Sequence, residues 1–357
     1  MEQLIKDLET LMSFKTVTGN RQEADKCIDF VEKAFGDQLQ IERGENNGYP
    51  YVIGYTRSAR TPKLLLTAHL DVVPCAEKQF TLQDTGDTLV GRGTFDMKFG
   101  AACYLRLLRE IPEILLGADI AILFTFDEEI DGTNGIGALV KDGLKPTISV
   151  LPDGSDNFKL EILGKGVWQA KLSKEGLPAH GSRPWEGESP VGGLFEAILE
   201  IEKAFASQGR ETDTCSVTTI GGGDALNRTP KEVFATLDVR YLSPDTLRAS
   251  VSTIQDICKH HGVSVTVTEE GDSFQIDTED SNIKLFESVY EQMFGKKMEH
   301  VIVCGSSDTR YLSAVGAPVI MTRPDGGGAH GDNEWISKQG LSDFYDLLKE
   351  YVVQCLK

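Results

Sequence analysis

Hydrophobic residues in the first third of the chain follow two alternating periodicities. Apolar positions recur at helical spacing over 1–13 and 21–35, and again near 98–110, which predicts three helices. Two short and nearly continuous apolar runs, 64–70 and 118–126, instead predict strands that are buried on both faces. This alternation favours an α/β fold in which a mostly parallel sheet is sandwiched by helices.

The hydrophobic pattern changes near residue 161 and changes back near residue 274. In between, alternating strand patterns and two helical segments, 190–206 and 244–261, predict a small α+β domain. A chain of 357 residues is also long for a single hydrophobic core. We therefore predict a discontinuous catalytic domain, 1–160 plus 274–357, interrupted by an inserted domain, 161–273.

Polar residues that can bind metal ions follow the first buried run. His69 and Asp71 lie two residues apart after that strand, so in extended geometry their side chains emerge on the same side. Asp96 lies in a glycine-rich turn before a predicted helix, where its carboxylate can approach a ligand closely. Taken alone, the His-x-Asp pair is more typical of a hydrogen-bonded loop, and Asp96 of a helix N-terminus.

The second buried run ends in three adjacent acidic residues, Asp127, Glu128 and Glu129. Crowded carboxylates repel one another, so we expect a nearby cation or raised pKa values; a solvated acidic turn is the alternative. Asp153 follows a third apolar segment in a Pro-Asp-Gly turn, and His330 lies in the glycine-rich loop GGGAHGDNEW. Together these residues form a nitrogen and oxygen ligand set that suits zinc and related divalent ions.

Composition and charge exclude several classes of protein. The hydrophobic fraction of 40% is ordinary for a globular protein, and no apolar stretch reaches the length of about 18 residues that spans a bilayer. A net charge of -19 argues against nucleic acid and anionic membranes as partners. The seven cysteines are dispersed, and the N-terminus lacks the layout of a signal peptide. We therefore predict a cytoplasmic protein with reduced thiols.

Ordered motifs resemble one known family along essentially the whole chain. In order they are AHLDVVP, GRGTFDMKFG, DEEIDG, LPAHGSRP with GGGDALNRTP, GSSDTRYL and GGGAHGDNE. They are similar to segments of the co-catalytic zinc metallopeptidase family of carboxypeptidase G, acetylornithine deacetylase, succinyl-diaminopimelate desuccinylase and aminoacylase. The resemblance implies a zinc-peptidase-like catalytic domain and an inserted ferredoxin-like domain that serves as a lid and as a homodimer interface.

The resemblance also implies which residues hold the metal. Asp96 would bridge two zinc ions per subunit, for which cobalt or manganese would substitute. His69 and Asp153 would complete the ligands of one ion, and Glu129 and His330 those of the other. The five residues that local sequence marks as candidates would thus form one two-metal site.

Four further residues gain roles from the same resemblance. Glu128 would act as the general acid/base, and Asp71 would orient His69. His180 of the inserted domain would stabilise the oxyanion of the intermediate, often in the active site of the partner subunit. Asn227 would be a second contact to the intermediate or to the substrate.

Arginines and the fourth metal ligand bear on the substrate. Arg310, with Arg240 and Arg183 as rivals, would bind a substrate carboxylate, and a structural ion pair is the alternative for each. Aspartate at the position of Asp153 is common in family members that resemble aminoacylases and peptidases, whereas deacetylases and desuccinylases tend to glutamate. We therefore expect a dipeptidase, carboxypeptidase or deacylase that hydrolyses a small peptide or N-acyl amino acid. A catalytically silent binding module of this fold and a metal-dependent phosphoesterase are the alternatives.

Overall fold

The computed structural model describes residues 1–305 and 307–357. Contacts among them divide the chain into two compact units. The first consists of Met1–Ile162, Gln275–Val301 and Ser307–Lys357, and the second of Leu163–Phe274 with a short stretch that begins at Ile302. The chain therefore leaves the first unit and returns to it twice. The catalytic, lid and dimerisation roles of these units stay predictions.

Helices and strands alternate along the described chain. The α-helices are α1 (Glu2–Ser13), α2 (Arg21–Phe35), α3 (Lys98–Glu110), α4 (Pro112–Gly117), α5 (Ile136–Lys141), α6 (Val191–Ala204), α7 (Pro244–His260), α8 (Ser281–Phe294), α9 (Thr309–Ala314) and α10 (Lys338–Cys355). The strands are β1 (Gln40–Asn46), β2 (Tyr49–Tyr55), β3 (Leu64–His69), β4 (Gln83–Asp84), β5 (Thr88–Val90), β6 (Ile120–Thr125), β7 (Ile148–Val150), β8 (Leu160–Gly164), β9 (Gly166–Glu175), β10 (Thr214–Gly222), β11 (Glu232–Tyr241), β12 (Ser264–Gly271), β13 (Phe274–Gln275), β14 (His300–Val303), β15 (Val319–Ile320), β16 (Gly326–Gly327) and β17 (Trp335–Ser337). Among the described residues, no helix is both long enough and apolar enough to cross a membrane.

A six-stranded sheet with the order β1-β2-β6-β3-β7-β15 forms the centre of the first unit. The run from β6 through β3 and β7 to β15 is parallel, whereas β2 is antiparallel to both β1 and β6. Every residue of β3 and β6 is buried, as expected for strands covered on both faces. The predicted α/β class with a mostly parallel sheet is therefore confirmed.

The hairpin of β1 and β2 is not predicted by the hydrophobic pattern. β1, with the sequence QIERGEN, is polar and has no buried residue, so it lacks the apolar run that marks β3 and β6. The chain turns at Asn47 and Gly48, whose φ angles are 48° and 87°. Positive φ at both central residues is what a tight hairpin turn requires. The Asn-Gly pair is therefore the local signal for this hairpin.

An antiparallel four-stranded sheet with the order β10-β11-β9-β12 forms the centre of the second unit. Its elements follow along the chain as β9, α6, β10, β11, α7 and β12, which is the ferredoxin-like arrangement. Along β11, buried residues alternate with more exposed ones, so one face of the sheet is covered. That face and the two helices form a core that includes Trp168, Leu194, Leu237 and Ile254.

A buried ion pair in the first unit fixes the loop that leads into α3. The guanidinium of Arg92 lies 2.6 Å from the Glu334 carboxylate, and both side chains are almost fully buried. The other oxygen of Glu334 accepts the backbone N–H groups of Phe95 and Asp96 at 2.9 and 3.0 Å. Arg92 also donates to the Gly331 carbonyl at 3.0 Å. Two segments that are distant in sequence are thereby held together.

Removal of the Glu334 carboxylate should destabilise the first unit strongly. In Glu334→Ala, Arg92 would stay buried without its partner, a change that costs about 3–5 kcal/mol. We expect a fall of that size in the free energy of unfolding, measured by urea denaturation. Glu279→Ala is the matched control, because it removes an ion pair with Lys284 that is exposed to water and contributes little to stability. Equal losses in the two variants would contradict the structural role of Glu334.

Candidate metal centre

Three neighbouring parallel strands bring polar residues to one edge of the first unit's sheet. β3 ends at His69, β6 is followed by the short 3-10 helix Glu128–Ile130, and β7 is followed by Asp153. Because the carboxyl ends of parallel strands share an edge, the side chains beyond them come together there. Asp96 joins them from the loop that Glu334 holds.

One group of possible metal ligands consists of His69, Asp96 and Asp153. One donor atom from each lies within 4.8 Å of the others. His69 Nε2 is 3.2 Å from Asp96 Oδ1, and both of these residues are buried. Imidazole and carboxylate donors gathered in this way fit zinc or a similar divalent cation.

A second group shares Asp96 with the first and adds Glu129 and His330. Its donor atoms also lie within 4.8 Å of one another. His330 Nε2 is 2.9 Å from Glu129 Oε2 and 3.3 Å from Asp96 Oδ2. The two oxygens of Asp96 thus face different histidines, which suits a carboxylate shared by two ions. The five residues predicted as ligands all lie in these two groups.

Asp71 connects the first histidine to the acidic turn. Its Oδ1 is 3.4 Å from His69 Nδ1, and its backbone carbonyl oxygen is 3.1 Å from the same atom. Its carboxylate accepts the backbone N–H groups of Glu128 and Glu129, each at 3.3 Å. The Thr18 hydroxyl donates to Asp71 Oδ2 at 2.9 Å. Asp71 therefore fixes the ring of His69 and the backbone of the turn relative to each other.

Burial and neighbouring charges shift the pKa values of the possible metal ligands at this edge, some upward and one downward. Burial, followed by the charge of Asp96, raises the pKa of Asp153 to about 7. Hydrogen bonds to Asp96 and Glu129 raise the pKa of His330 to about 10. Burial acts to raise the pKa of Asp96, but hydrogen bonds with His330 and His69 hold that pKa well below the usual range. Positive charge on the histidines balances the carboxylates here, as a bound divalent ion would do.

Glu128 lies next to the two donor groups without belonging to either. Its Oε2 is 3.8 Å from His69 Nε2, and its side chain is 16% exposed. Burial, followed by the negative charge of Asp153, raises the pKa of Glu128 well above its usual range. A carboxyl group with a raised pKa beside a cluster of possible ligands is suited to accept and return a proton.

Arg323 is a charged residue of this edge that the sequence motifs do not indicate. Its Nη1 is 3.6 Å from Asp96 Oδ1 and 3.4 Å from Asp153 Oδ1. The guanidinium lies over the ring of Phe95, 4.3 Å from the ring centroid. Arg323 follows β15 in the segment TRPDG, outside the motifs, so no local sequence signal marks it.

Asp308 is a second residue that sequence reasoning does not single out, although it lies within GSSDTRYL. It is 1% exposed, and neither carboxylate oxygen has a hydrogen-bond partner among the described residues. Burial, followed by the charge of Asp127, raises its pKa well above the usual range. Its carboxyl packs directly against Gly132, where a Cβ atom would come within 1.7 Å of Asp308 Oδ1. Only the three-dimensional packing identifies this residue.

Two of the three arginines considered for binding a substrate carboxylate, Arg310 and Arg240, have partners within their own units. In the first unit, Arg310 donates to the Asp131 carbonyl at 2.7 Å and to the Tyr311 hydroxyl at 2.9 Å. In the second unit, Arg240 lies 2.7 Å from the Asp238 carboxylate. These contacts fit the structural alternative, and carboxylate binding stays a prediction for both arginines.

His180 and Asn227 lie on adjacent segments of the second unit. His180 pairs with Arg228 in an antiparallel bridge, and the Gly181 N–H donates to the Asn227 carbonyl at 2.6 Å. His180 Nδ1 is 2.8 Å from the Ser182 hydroxyl oxygen. The structure thus brings these two residues close to each other. Their contacts to a reaction intermediate stay predictions.

Comparisons with known sequences agree with the resemblance carried by the motifs. Residues 65–354 match Peptidase family M20/M25/M40. A putative succinyl-diaminopimelate desuccinylase of Mycobacterium tuberculosis is 26% identical over 345 residues, which cover 93% of this chain and 94% of that protein. The succinyl-diaminopimelate desuccinylase of Sulfurimonas denitrificans is 21% identical over 97% of this chain and 99% of its own length.

Solved structures share the fold. A tripeptidase from Staphylococcus aureus matches with a TM-score of 0.82 at 21% identity, over 99% of this chain and 98% of that chain. An aminopeptidase from Bacillus cereus matches with a TM-score of 0.84 at 18% identity, over 100% of this chain and 99% of that chain. The chain therefore belongs to Peptidase family M20/M25/M40, a family of metal-dependent hydrolases, as its motifs predicted.

Proposed function

We propose that this chain is a two-metal hydrolase that cleaves an amide bond of a small peptide or an N-acyl amino acid. The observation that carries the proposal is the Asp96 carboxylate, whose two oxygens face His69 in one donor group and His330 in the other. Membership of a metal-dependent hydrolase family supports it independently. We infer two zinc ions per subunit, with cobalt or manganese as substitutes.

Each residue of the candidate metal centre would have a separate role in the reaction. Two divalent ions held by the donor groups would polarise the scissile carbonyl and lower the pKa of the attacking water. Glu128 would take the proton of that water and return it to the leaving amine, because its carboxylate is close to the donor groups and belongs to neither. Asp71 would hold the ring of His69 in the orientation that its other nitrogen needs for binding.

The proposal also concerns which class of amide the chain hydrolyses. The curated relatives described above are desuccinylases, and the solved structures are a tripeptidase and an aminopeptidase. Asp153, rather than a glutamate, supports a peptide or N-acyl amino acid as the substrate. We therefore propose a dipeptidase, carboxypeptidase or deacylase, in which Arg310 or Arg240 binds the substrate carboxylate. His180 and Asn227 would contact the oxyanion of the intermediate.

A substrate screen tests the proposed reaction. Protein loaded with zinc or cobalt would be assayed on dipeptides and on acetyl, succinyl and glutamyl conjugates of amino acids. We expect hydrolysis of at least one of these classes, loss of that activity with a chelator, and recovery when zinc is added back. Hydrolysis of generic phosphate esters without amide hydrolysis would favour a phosphoesterase. Binding of the panel without turnover would favour a silent binding module.

Two neighbouring glutamates separate proton transfer from metal binding. Glu128→Gln should keep the metal content of the wild type and lower turnover on the order of 10²- to 10⁴-fold, the usual contribution of a general base. Glu129→Gln is the matched control, because it changes a proposed ligand one residue away and should lower the metal content as well. Metal content is measured by atomic emission and turnover on the best substrate of the screen. Unchanged turnover in Glu128→Gln would remove its proposed role.

An apolar stripe on the second unit supports the proposed homodimer. Val191, Phe195 and Leu199 recur every four residues along α6, and Phe195 and Leu199 are 46% and 60% exposed. Phe195 and Leu199 lie outside the helix face that Leu194 contributes to the core, and Val191 lies at the edge of that face. β10 is an edge strand of the sheet, and its Ile220 is also exposed. Exposed apolar residues on an edge strand and a helix of one domain are typical of a protein–protein interface.

A charge on this stripe should dissociate the dimer. Equilibrium sedimentation of the wild type should give twice the chain mass of 39.1 kDa. Leu199→Glu should sediment as a monomer, because it places a carboxylate in an apolar interface. Ile41→Glu, at a 39% exposed position of the first unit, is the matched control and should stay dimeric. A monomeric wild type would also remove any role of His180 in the active site of a partner.

A further inference from the structure

Arg323 is held rigidly beside one of the two donor groups. Its backbone N–H donates to the Ser155 carbonyl at 2.9 Å, and its carbonyl accepts the Phe158 N–H at 2.8 Å. Its Nε donates to the Gly154 carbonyl, and its guanidinium lies over the Phe95 ring. Only 16% of the side chain is exposed. The positive charge of Arg323 therefore has a fixed place.

The charge of Arg323 acts on one donor group more than on the other. Its Nη1 contacts Asp153 Oδ1 at 3.4 Å and Asp96 Oδ1 at 3.6 Å. Asp96 Oδ1 is the oxygen that faces His69, whereas Oδ2 faces His330. Each group consists of one imidazole and two carboxylates. The groups thus have equal formal charge among their donors, and Arg323 places a positive charge beside the first group.

Arg323 has two opposite effects on a bound cation: it orients the carboxylates that hold the cation, and it repels the cation itself. The distances between the groups decide which effect is larger. Arg323 Nη1 donates to Asp153 Oδ1 at 3.4 Å and lies 3.6 Å from Asp96 Oδ1, and a hydrogen bond of that length orients a carboxylate only weakly. Repulsion between a guanidinium and a cation falls only with the inverse of distance, and burial limits its screening. The backbone of Asp153 is held without Arg323, since its N–H donates to the Leu151 carbonyl at 2.8 Å. Repulsion therefore outweighs orientation.

We propose that Arg323 lowers the affinity of the His69–Asp96–Asp153 group for a divalent cation. The Asp96–Glu129–His330 group would then bind the first ion, and the second ion would enter next to a fixed positive charge. This inference rests on the metal ligation proposed above. It assigns to Arg323 an electrostatic role in the order of metal binding.

A calorimetric titration of the full chain with Co²⁺ tests the inference. We expect the metal-free wild type to bind two ions with dissociation constants that differ on the order of 10- to 100-fold, the size of effect that neighbours of metal ligands usually have. Arg323→Met should strengthen the weaker step by a similar factor, because it removes the charge. Arg323→Lys is the matched control that keeps a positive charge, and it should preserve the difference. Unchanged or weaker binding in Arg323→Met would overturn the inference.

Variants that lack one proposed ligand show which donor group binds the second, weaker ion. In a His330→Ala background only the first group keeps all its donors, and Arg323→Met should raise its affinity for Co²⁺. In an Asp153→Asn background the same change should have a several-fold smaller effect. Circular dichroism checks that each variant is folded. A wild type that binds no Co²⁺ would contradict the proposed function itself, whereas two equal affinities regardless of Arg323 would contradict this inference alone.

Discussion

Confinement of several carboxylates at one buried edge of a sheet is the constraint on which the rest of this structure depends. Asp96, Glu128 and Asp153 all lie close to His69 or to its neighbours. Like charges at such distances repel strongly where water is excluded, unless cations or protons balance them. Histidine, Arg323 and raised carboxyl pKa values provide that balance within the chain. The negative charge that folding must accommodate is also what makes this edge a place for divalent cations.

Local sequence predicts most of the centre because its residues follow buried strands. His69 is the last residue of a buried strand and Asp153 comes shortly after another, so their place at the sheet edge follows from the fold class. The spacing of residues along the sequence does not show that the two oxygens of Asp96 face different histidines. The shared role of Asp96 was predicted only from the resemblance to the family. Arg323 lies 170 positions from Asp153 along the chain, and no periodicity relates the two. The β1–β2 hairpin was missed for a different reason, because a polar edge strand lacks an apolar signature.

Proteins with different substrates share this fold. The residues that cleave the bond can therefore be considered separately from the residues that select the substrate. A desuccinylase and a tripeptidase each match nearly the whole length of this chain. Attack on an amide carbonyl needs the same groups in either reaction: donors for the cations, a group that carries the proton, for which we propose Glu128, and support for the histidines. All of these lie in the first unit. Apart from the aspartate at position 153, substrate choice therefore depends on residues outside the donor groups, and the motifs that identify the family carry little information about it.

Asp308 shows how a further carboxyl is tolerated close to this centre. Asp127 Oδ2 accepts the backbone N–H groups of Asn134 and Gly135 at 2.7 and 2.8 Å, and such donors favour the ionised form. Asp308 has no comparable donors among the described residues, and the charge of Asp127 opposes its ionisation. Burial raises the pKa of both carboxyl groups, to about 6 in Asp127 and well above the usual range in Asp308, so the protonated form is favoured more in Asp308, which packs against Gly132. The negative charge near the donor groups is thus set by backbone donors as much as by the number of acidic residues.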